Sequence, residues 1–213
     1  MGAVVTAALV GCVGQDGRVA TNPNGDPSSE FIELIHERGG VDVDSVPITS
    51  MRELAEGTDL FVAGEVVSAE IAPTDPFVIH PQQGEMPNGP DLVQAGINLR
   101  VAVSQRGGRA AEFVASDEVN VFVPVWTGQA SQLSGAEDQV ARALEAAPVR
   151  SRILVASHSS AVRSDKAIYA PGSGVFLQGP DDAYATYSDS SDTAAFAGSD
   201  LAALVIQASD AFA

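Results

Sequence analysis

The feature that most constrains this chain is a strict two-residue alternation in its middle third. Ile97, Leu99, Val101 and Val103 alternate with Asn98, Arg100, Ala102 and Ser104; further along, Val119, Val121, Val123 and Val125 alternate with Asn120, Phe122 and Pro124. Side chains on a strand point to opposite faces in turn, so each run predicts a strand with one apolar face buried. Residues 60–71 read as a longer first strand, with Gly64 as a candidate bulge. Gly107-Gly108 marks a turn, and Pro124 predicts that the third strand lies at a sheet edge or near a strand end. A fourth strand is expected over 153–156. One or two more are expected over 167–178, broken by Pro171-Gly172-Ser173-Gly174, and a short one over 183–187.

Helical segments flank this β-rich block. Ser28-Ser29 precede a short helix over residues 30–35 that Gly39-Gly40 end. Ser50 and Glu53 have capping-box spacing for a helix over 50–56. Residues 134–147 read as a helix capped by Ser134, with Glu137 in its first turn and Pro148 as its stop. Asp200 opens a C-terminal helix that places Leu201, Leu204, Val205, Ala208 and Phe212 on one face. The order is three strands, a helix, then two or three strands. The predicted class is therefore β-rich α+β: an OB-like, partly open β-barrel of strand order β-β-β-α-β-β with flanking helices, the last at the C-terminus. A twisted sheet with helices on one face is the alternative. The expected organisation is a leader over 1–11, a tether over 12–29, a helical lead-in over 30–57, the barrel over 58–188, and a polar loop plus helix over 189–213.

The charge balance narrows the function. Eleven basic residues against 28 acidic ones give a net charge of −17 over 213 residues, and Lys166 is the single lysine. Such a surface repels phosphate backbones, which excludes nucleic acid as a partner, and it lacks the basic clusters that dock on anionic lipid. An apolar share of 45% is ordinary for a chain that buries a core. The abundance of Ala, Gly, Val and Asp over Lys fits a high-GC genome.

The one cysteine, Cys12, rules out an internal disulfide and a cysteine-based zinc site. Residues 3–10 form an apolar run interrupted by Thr6, too short for the ~20 residues of a spanning helix. Leu9-Val10-Gly11-Cys12 follows and resembles the lipobox of bacterial lipoproteins. That resemblance implies a diacylglyceryl group on the Cys12 thiol, removal of residues 1–11, and a membrane-anchored extracytoplasmic protein. Two acyl chains make a stable anchor where one is marginal. Residues 13–29, rich in Gly, Asn, Asp, Pro and Ser, suit a polar tether beyond the lipid. Met1-Gly2 lacks the basic segment that opens a signal peptide, which predicts a true start upstream of Met1. Two other readings stand beside this one: a buried N-terminal strand with Cys12 in the core, and myristoylation through Met1-Gly2 with Thr6.

A second resemblance lies further along. Thr58-Asp59-Leu60-Phe61-Val62-Ala63-Gly64-Glu65-Val66-Val67-Ser68 and Gly172-Ser173-Gly174-Val175-Phe176 are similar to strings in a group of secreted or lipid-anchored proteins of high-GC bacteria. It spans residues 50–187, carries no catalytic signature, and implies a β-rich extracytoplasmic domain.

Signals for chemistry are sparse. His36, His80 and His158 show no metal-ligand spacing. His158-Ser159-Ser160 puts nucleophile and base side by side in sequence, yet neighbours on an extended chain point apart, and no G-x-S-x-G elbow exists. Gly172-Ser173-Gly174 lacks the lysine and following helix of a phosphate loop. Asn22, Asn24, Asp26, Ser28, Glu30 and Glu33 have EF-hand spacing, but Pro27 stands where the sharp turn needs Gly. Asp181-Asp182 and 189–192 read as solvated loops. Glu30, Glu33, Glu65 and Glu70 could form a glycosidase pair, but Trp126, the single tryptophan, reads as core or barrel rim rather than a sugar platform. The expectation is a binding or interaction domain of unknown activity, with the membrane as partner through Cys12 and a protein, peptide or cell-wall ligand besides. No cofactor is expected. The alternative is a secreted hydrolase or metal-dependent enzyme with a site around His80 and His158.

Overall fold

The alternating runs form one mixed sheet in the computed structural model, which describes residues 27–36, 48–77, 92–114, 117–159, 166–170, 174–179, 184–186, 196 and 199–213. Cys12, residues 13–26 of the tether, His80 and the 189–192 loop lie outside the described residues, as do Asn22, Asn24, Asp26 and Asp181-Asp182; residues 27–29, expected as the end of the tether, instead open the first helix. The strands are β1 (Leu60–Ile71), β2 (Asp75–Phe77), β3 (Leu92–Gly108), β4 (Glu118–Gln129), β5 (Arg152–Ser157), β6 (Ile168–Tyr169), β7 (Val175–Gln178) and β8 (Tyr184–Thr186); the helices are α1 (Pro27–His36), α2 (Met51–Gly57), α3 (Glu137–Glu145) and α4 (Leu201–Ala211). The sheet order is β6-β4-β3-β1-β5-β7-β8, with β2 added to the start of β3. Its neighbours are antiparallel except β6, which runs parallel to β4. The ends of this order do not pair among the described residues, so the sheet is open and the fold is mixed α+β. β6 and β7 lie five residues apart in the chain and run in the same direction.

Apolar clusters cover both faces. On one, Leu60, Val62 and Val66 of β1 meet Ile97, Leu99 and Val101 of β3, Val121 and Val123 of β4, and Ile153 and Val155 of β5. Helices α1 (Phe31, Leu34, Ile35) and α3 (Val140, Ala143) close over them. On the other, Phe61, Ala63, Leu154, Ala156 and Phe176 pack against Met51 and Leu54 of α2 and Leu201, Leu204, Val205 and Ala208 of α4. Phe212, just beyond α4, sets its ring 5.2 Å from that of Phe61. The single-residue change of face along β1 therefore serves two helical layers, as alternation requires.

Several local readings hold and some shift. Ser50 caps α2 by accepting from the Glu53 N–H at 3.2 Å. The Glu53 carboxylate turns back to the Thr49 N–H and hydroxyl at 2.7 and 2.8 Å. Asp200 caps α4 through the Ala202 N–H at 2.8 Å. Gly64 does sit at a register shift between Ala63 and Gly64. The extra residue there is Ser104 on β3, whose hydroxyl donates to the Ala63 carbonyl at 3.2 Å. Ser134 is not the cap of α3: it lies in a 3₁₀ turn, Ala130–Gly135, and the helix starts two residues later behind Ala136 without a side-chain cap. Pro124 is not on an edge strand, since β4 lies between β3 and β6. It is tolerated because β6 pairs with β4 at Val121 and Phe122 alone, and because a second register shift falls between its partner Gly96 and Ala95. The Pro-rich stretch after Ile71 yields the unexpected short strand β2.

Candidate functional site

The two ends of β1 carry the features that bear on function. At its start, Asp59 is bound on every side. Its N–H donates to the Ser157 carbonyl at 3.0 Å, and its own carbonyl accepts from the Arg109 N–H at 2.9 Å. Its carboxylate accepts from both the N–H and the hydroxyl of Ser159. The Arg109 guanidinium lies 3.9 Å from that carboxylate and binds Glu112 through two contacts of 3.1 Å. Burial pushes the Asp59 carboxyl up, but the two Ser159 hydrogen bonds and the neighbouring charges of His158 and Arg109 outweigh it, leaving the group below its ordinary value.

This cluster gathers Ser, His and Asp, the residue types of a hydrolase, in the wrong connectivity. In a nucleophilic triad the serine hydroxyl donates to the imidazole and the carboxylate holds the imidazole. Here the Ser159 hydroxyl donates directly to Asp59, which ties down the hydroxyl proton where a base would have to take it. His158 is exposed beside the pair. The arrangement anchors the chain as it leaves β5 against the start of β1. Sequence reading named His158 and Ser159 but missed Asp59, which stands 100 residues away in the chain. Among the described residues no group of three His, Cys, Asp or Glu could hold a metal.

At the other end of β1 an open cavity of about 340 Å³ lies between the sheet and α3. The end of β1 contributes Ile71, followed by Ala72 and Thr74. The start of β3 contributes Ala95 and Gly96. The far wall comes from Leu133, Ala136, Glu137 and Val140. The space exists because the residues where these segments approach are small: Ala72, Ala95, Gly96 and Ala136 bring little side-chain volume. Gly96 is fixed by the sheet, since a Cβ there would lie 2.1 Å from the Val123 carbonyl. The lining residues are mostly apolar, with Thr74 and Glu137, both exposed, as the polar ones. Ile71 remains 59% exposed at the mouth, although its cross-strand partner Ile97 is fully buried. No helix of the described residues is long and apolar enough to cross a membrane.

Of the other residues named from sequence, Glu30, Glu65 and Glu70 are exposed, the last two on β1. Trp126 is half-buried against the core, and its ring lies over Gly128, where a Cβ would meet it at 2.5 Å. His36 falls within α1. Compared with protein-family models, with curated proteins and with solved structures, the chain matches none.

Proposed function

We propose that this chain is a lipid-anchored extracytoplasmic binding domain rather than an enzyme. Lipid on Cys12 holds it to the membrane, and the cavity at the end of β1 takes an apolar group of a protein, peptide or cell-wall ligand. The observation that carries the binding role is the cavity itself: about 340 Å³, largely apolar, with few polar residues in its lining. Those are the usual properties of a ligand pocket. The address rests on the sequence, where Leu9-Val10-Gly11-Cys12 ends an apolar run and opens a polar tether.

The same proposal includes an OB-like barrel. β1, β3, β4, α3 and β5 follow in the expected order. β6 and β7 act as one interrupted fifth strand, pairing parallel with β4 at its start and antiparallel with β5 at its end. In that architecture the cavity is the barrel mouth beside the helix that plugs it.

The test has two arms. Mass spectrometry of the membrane fraction of an expressing bacterium is expected to find a mature chain that begins at an acylated Cys12, and Cys12→Ser is expected to abolish the modification. An unmodified, intact N-terminus would refute the anchor. For the cavity, the full chain carrying Cys12→Ser is titrated with the neutral apolar dye Nile red. Leu133→Trp, which fills the space, is expected to weaken uptake about tenfold with the far-UV circular dichroism unchanged. Equal uptake by both chains would refute the pocket.

A further inference from the structure

β1 and β5 differ in length, and the difference leaves backbone exposed beside the cavity. β1 has 12 residues and β5 has 6. Their pairing ends at Glu65 opposite Arg152. One residue further, the Val66 N–H donates to the Ser151 carbonyl at 3.0 Å and its carbonyl accepts from the Arg150 N–H at 2.7 Å. Among the described residues no strand lies on that side of residues 67–71, while the other side stays paired with β3. The register tells which groups face outward. The Ala72 N–H is turned to β3, where it donates to Gly96 at 3.0 Å. Alternation back along the strand turns Glu70 and Ser68 to β3 and leaves the backbone N–H and C=O of Ala69 and Ile71 on the open side. Val67 is the extra residue of the register shift between Val66 and Ser68.

This stretch also exposes two large apolar side chains where an edge would be expected to be polar. Val67 and Ile71 are two of the three large apolar residues exposed among those described, the third being Ile206 on α4. Ile71 stands at the mouth of the cavity. A free edge about 16 Å long that ends at an apolar cavity is the arrangement by which a sheet takes up an extended peptide: main-chain bonds to the edge and a side chain in the pocket.

We propose that residues 67–71 and the cavity together form a docking site for an extended, basic segment of another polypeptide. That segment adds to the sheet as a strand and places one apolar side chain between Ile71 and Val140. This rests on the binding reading of the cavity and names its ligand class. Charge decides the occupant. Glu70 lies on the edge and Glu137 lines the cavity, and the chain carries −17 overall. A second copy would set like charges against each other across the new pair, whereas Lys or Arg next to the apolar residue points to the opposite face of the sheet, where it complements Glu70.

The probe is the peptide acetyl-Lys-Val-Lys-Leu-Lys-Val-Lys-amide, added to the full chain carrying Cys12→Ser. It is expected to slow hydrogen exchange at the Ala69 and Ile71 amides and to displace Nile red from the cavity. The same peptide with alternate backbone nitrogens methylated, and its Glu-for-Lys counterpart, are each expected to bind at least about tenfold more weakly. Glu70→Lys, at an exposed position, is expected to weaken the basic peptide by a similar factor. If the dye binds but the peptide neither displaces it nor protects the two amides, docking is refuted and the cavity reading stands. If the dye does not bind either, both fall. Protection already present in the free chain at low concentration would assign the edge to the chain's own residues, and protection that rises with chain concentration would assign it to a second copy. Either result overturns the proposal.

Discussion

Replacing Gly64 by alanine is expected to damage the fold strongly for a single added methyl. Gly64 is buried in the middle of β1, paired with Val103 on one side and Ile153 on the other. A Cβ at this position would lie 2.0 Å from the Ala102 carbonyl oxygen, 2.9 Å from its carbon and 2.8 Å from Val101 Cγ1. An ordinary carbon–oxygen contact needs more than 3 Å, so β1 and β3 must part locally by about 1 Å. The closest atom is backbone, which cannot turn away as a side chain would. A shift of that size breaks one or two ladder hydrogen bonds at about 1 kcal/mol each. Overpacking of the buried face adds about 1–3 kcal/mol. The lower chain entropy of alanine returns about 0.5–1 kcal/mol. The net expectation is a loss of about 3 kcal/mol, or a fall in Tm of roughly 6–12 °C for a chain of this size.

Urea unfolding followed by circular dichroism measures this directly, with Gly57→Ala as the control. Gly57 closes α2, and a Cβ there meets nothing within 4 Å, so the control should be neutral or gain up to about 1 kcal/mol. If Gly64→Ala unfolds within about 0.5 kcal/mol of the control, the close approach of β1 to β3 is wrong. The register shift built on Ser104 is then wrong with it.

Two further perturbations test the ends of the argument. Asp59 has a folded-state carboxyl below its ordinary value, so its contribution is present above the unfolded carboxyl pKa of about 4 and fades as pH falls through and below that value. Asp59→Asn should therefore be less stable than the parent at pH 7, with the difference shrinking in melts taken towards pH 3; a difference that grows on acidification would contradict the Ser159 anchor. Leu204→Ala removes a side chain that is 1% exposed between α4, α2 and the sheet and should cost about 2–5 kcal/mol in urea unfolding. A loss under about 1 kcal/mol would mean that α4 is not docked on this face.

Which parts of the fold the sequence disclosed follows from where each signal is written. β1 carries its apolar run in consecutive residues, and the observed bounds, Leu60–Ile71, equal those read from it. β3 proved longer than its alternating stretch, running from Leu92 to Gly108. Beyond Val103 it pairs with β1 alone, so polar residues such as Ser104, Gln105 and Arg106 are tolerated and the period is lost; before Ile97 it lies between β4 and the short β2. β2 escaped notice because three residues containing Pro76 cannot show a period, and a strand at the margin of the sheet accepts proline. The start of α3 was misplaced because a serine at the right spacing imitates a cap, while the real boundary is set by a 3₁₀ turn that no residue type announces. Asp59 could not be tied to Ser159 from composition or spacing, since the contact is made by the sheet bringing β1 beside β5.

The site at the far end of β1 was half-legible, and the legible half is the more instructive. The cavity was not: Ala72, Ala95, Gly96 and Ala136 are what any sequence rich in small residues contains, and they leave a void only when three segments converge. The unpaired edge was present in two lengths. A first strand over 60–71 and a fourth over only 153–156, if antiparallel neighbours, must leave one side of the longer strand without a partner over their difference. Proteins usually blunt such an edge with charge, proline or a bulge. This one has a register shift at Val67 and a glutamate at position 70, yet it keeps Val67 and Ile71 exposed. The glutamate opposes pairing between identical chains, while Val67 and Ile71, the latter lining the cavity, still offer apolar surface to a different one. Apolar surface retained on an unpaired edge is the physical reason for proposing as the binding site the end of β1 rather than the Asp59–Ser159 cluster. There every polar group of Asp59 is already engaged within the fold.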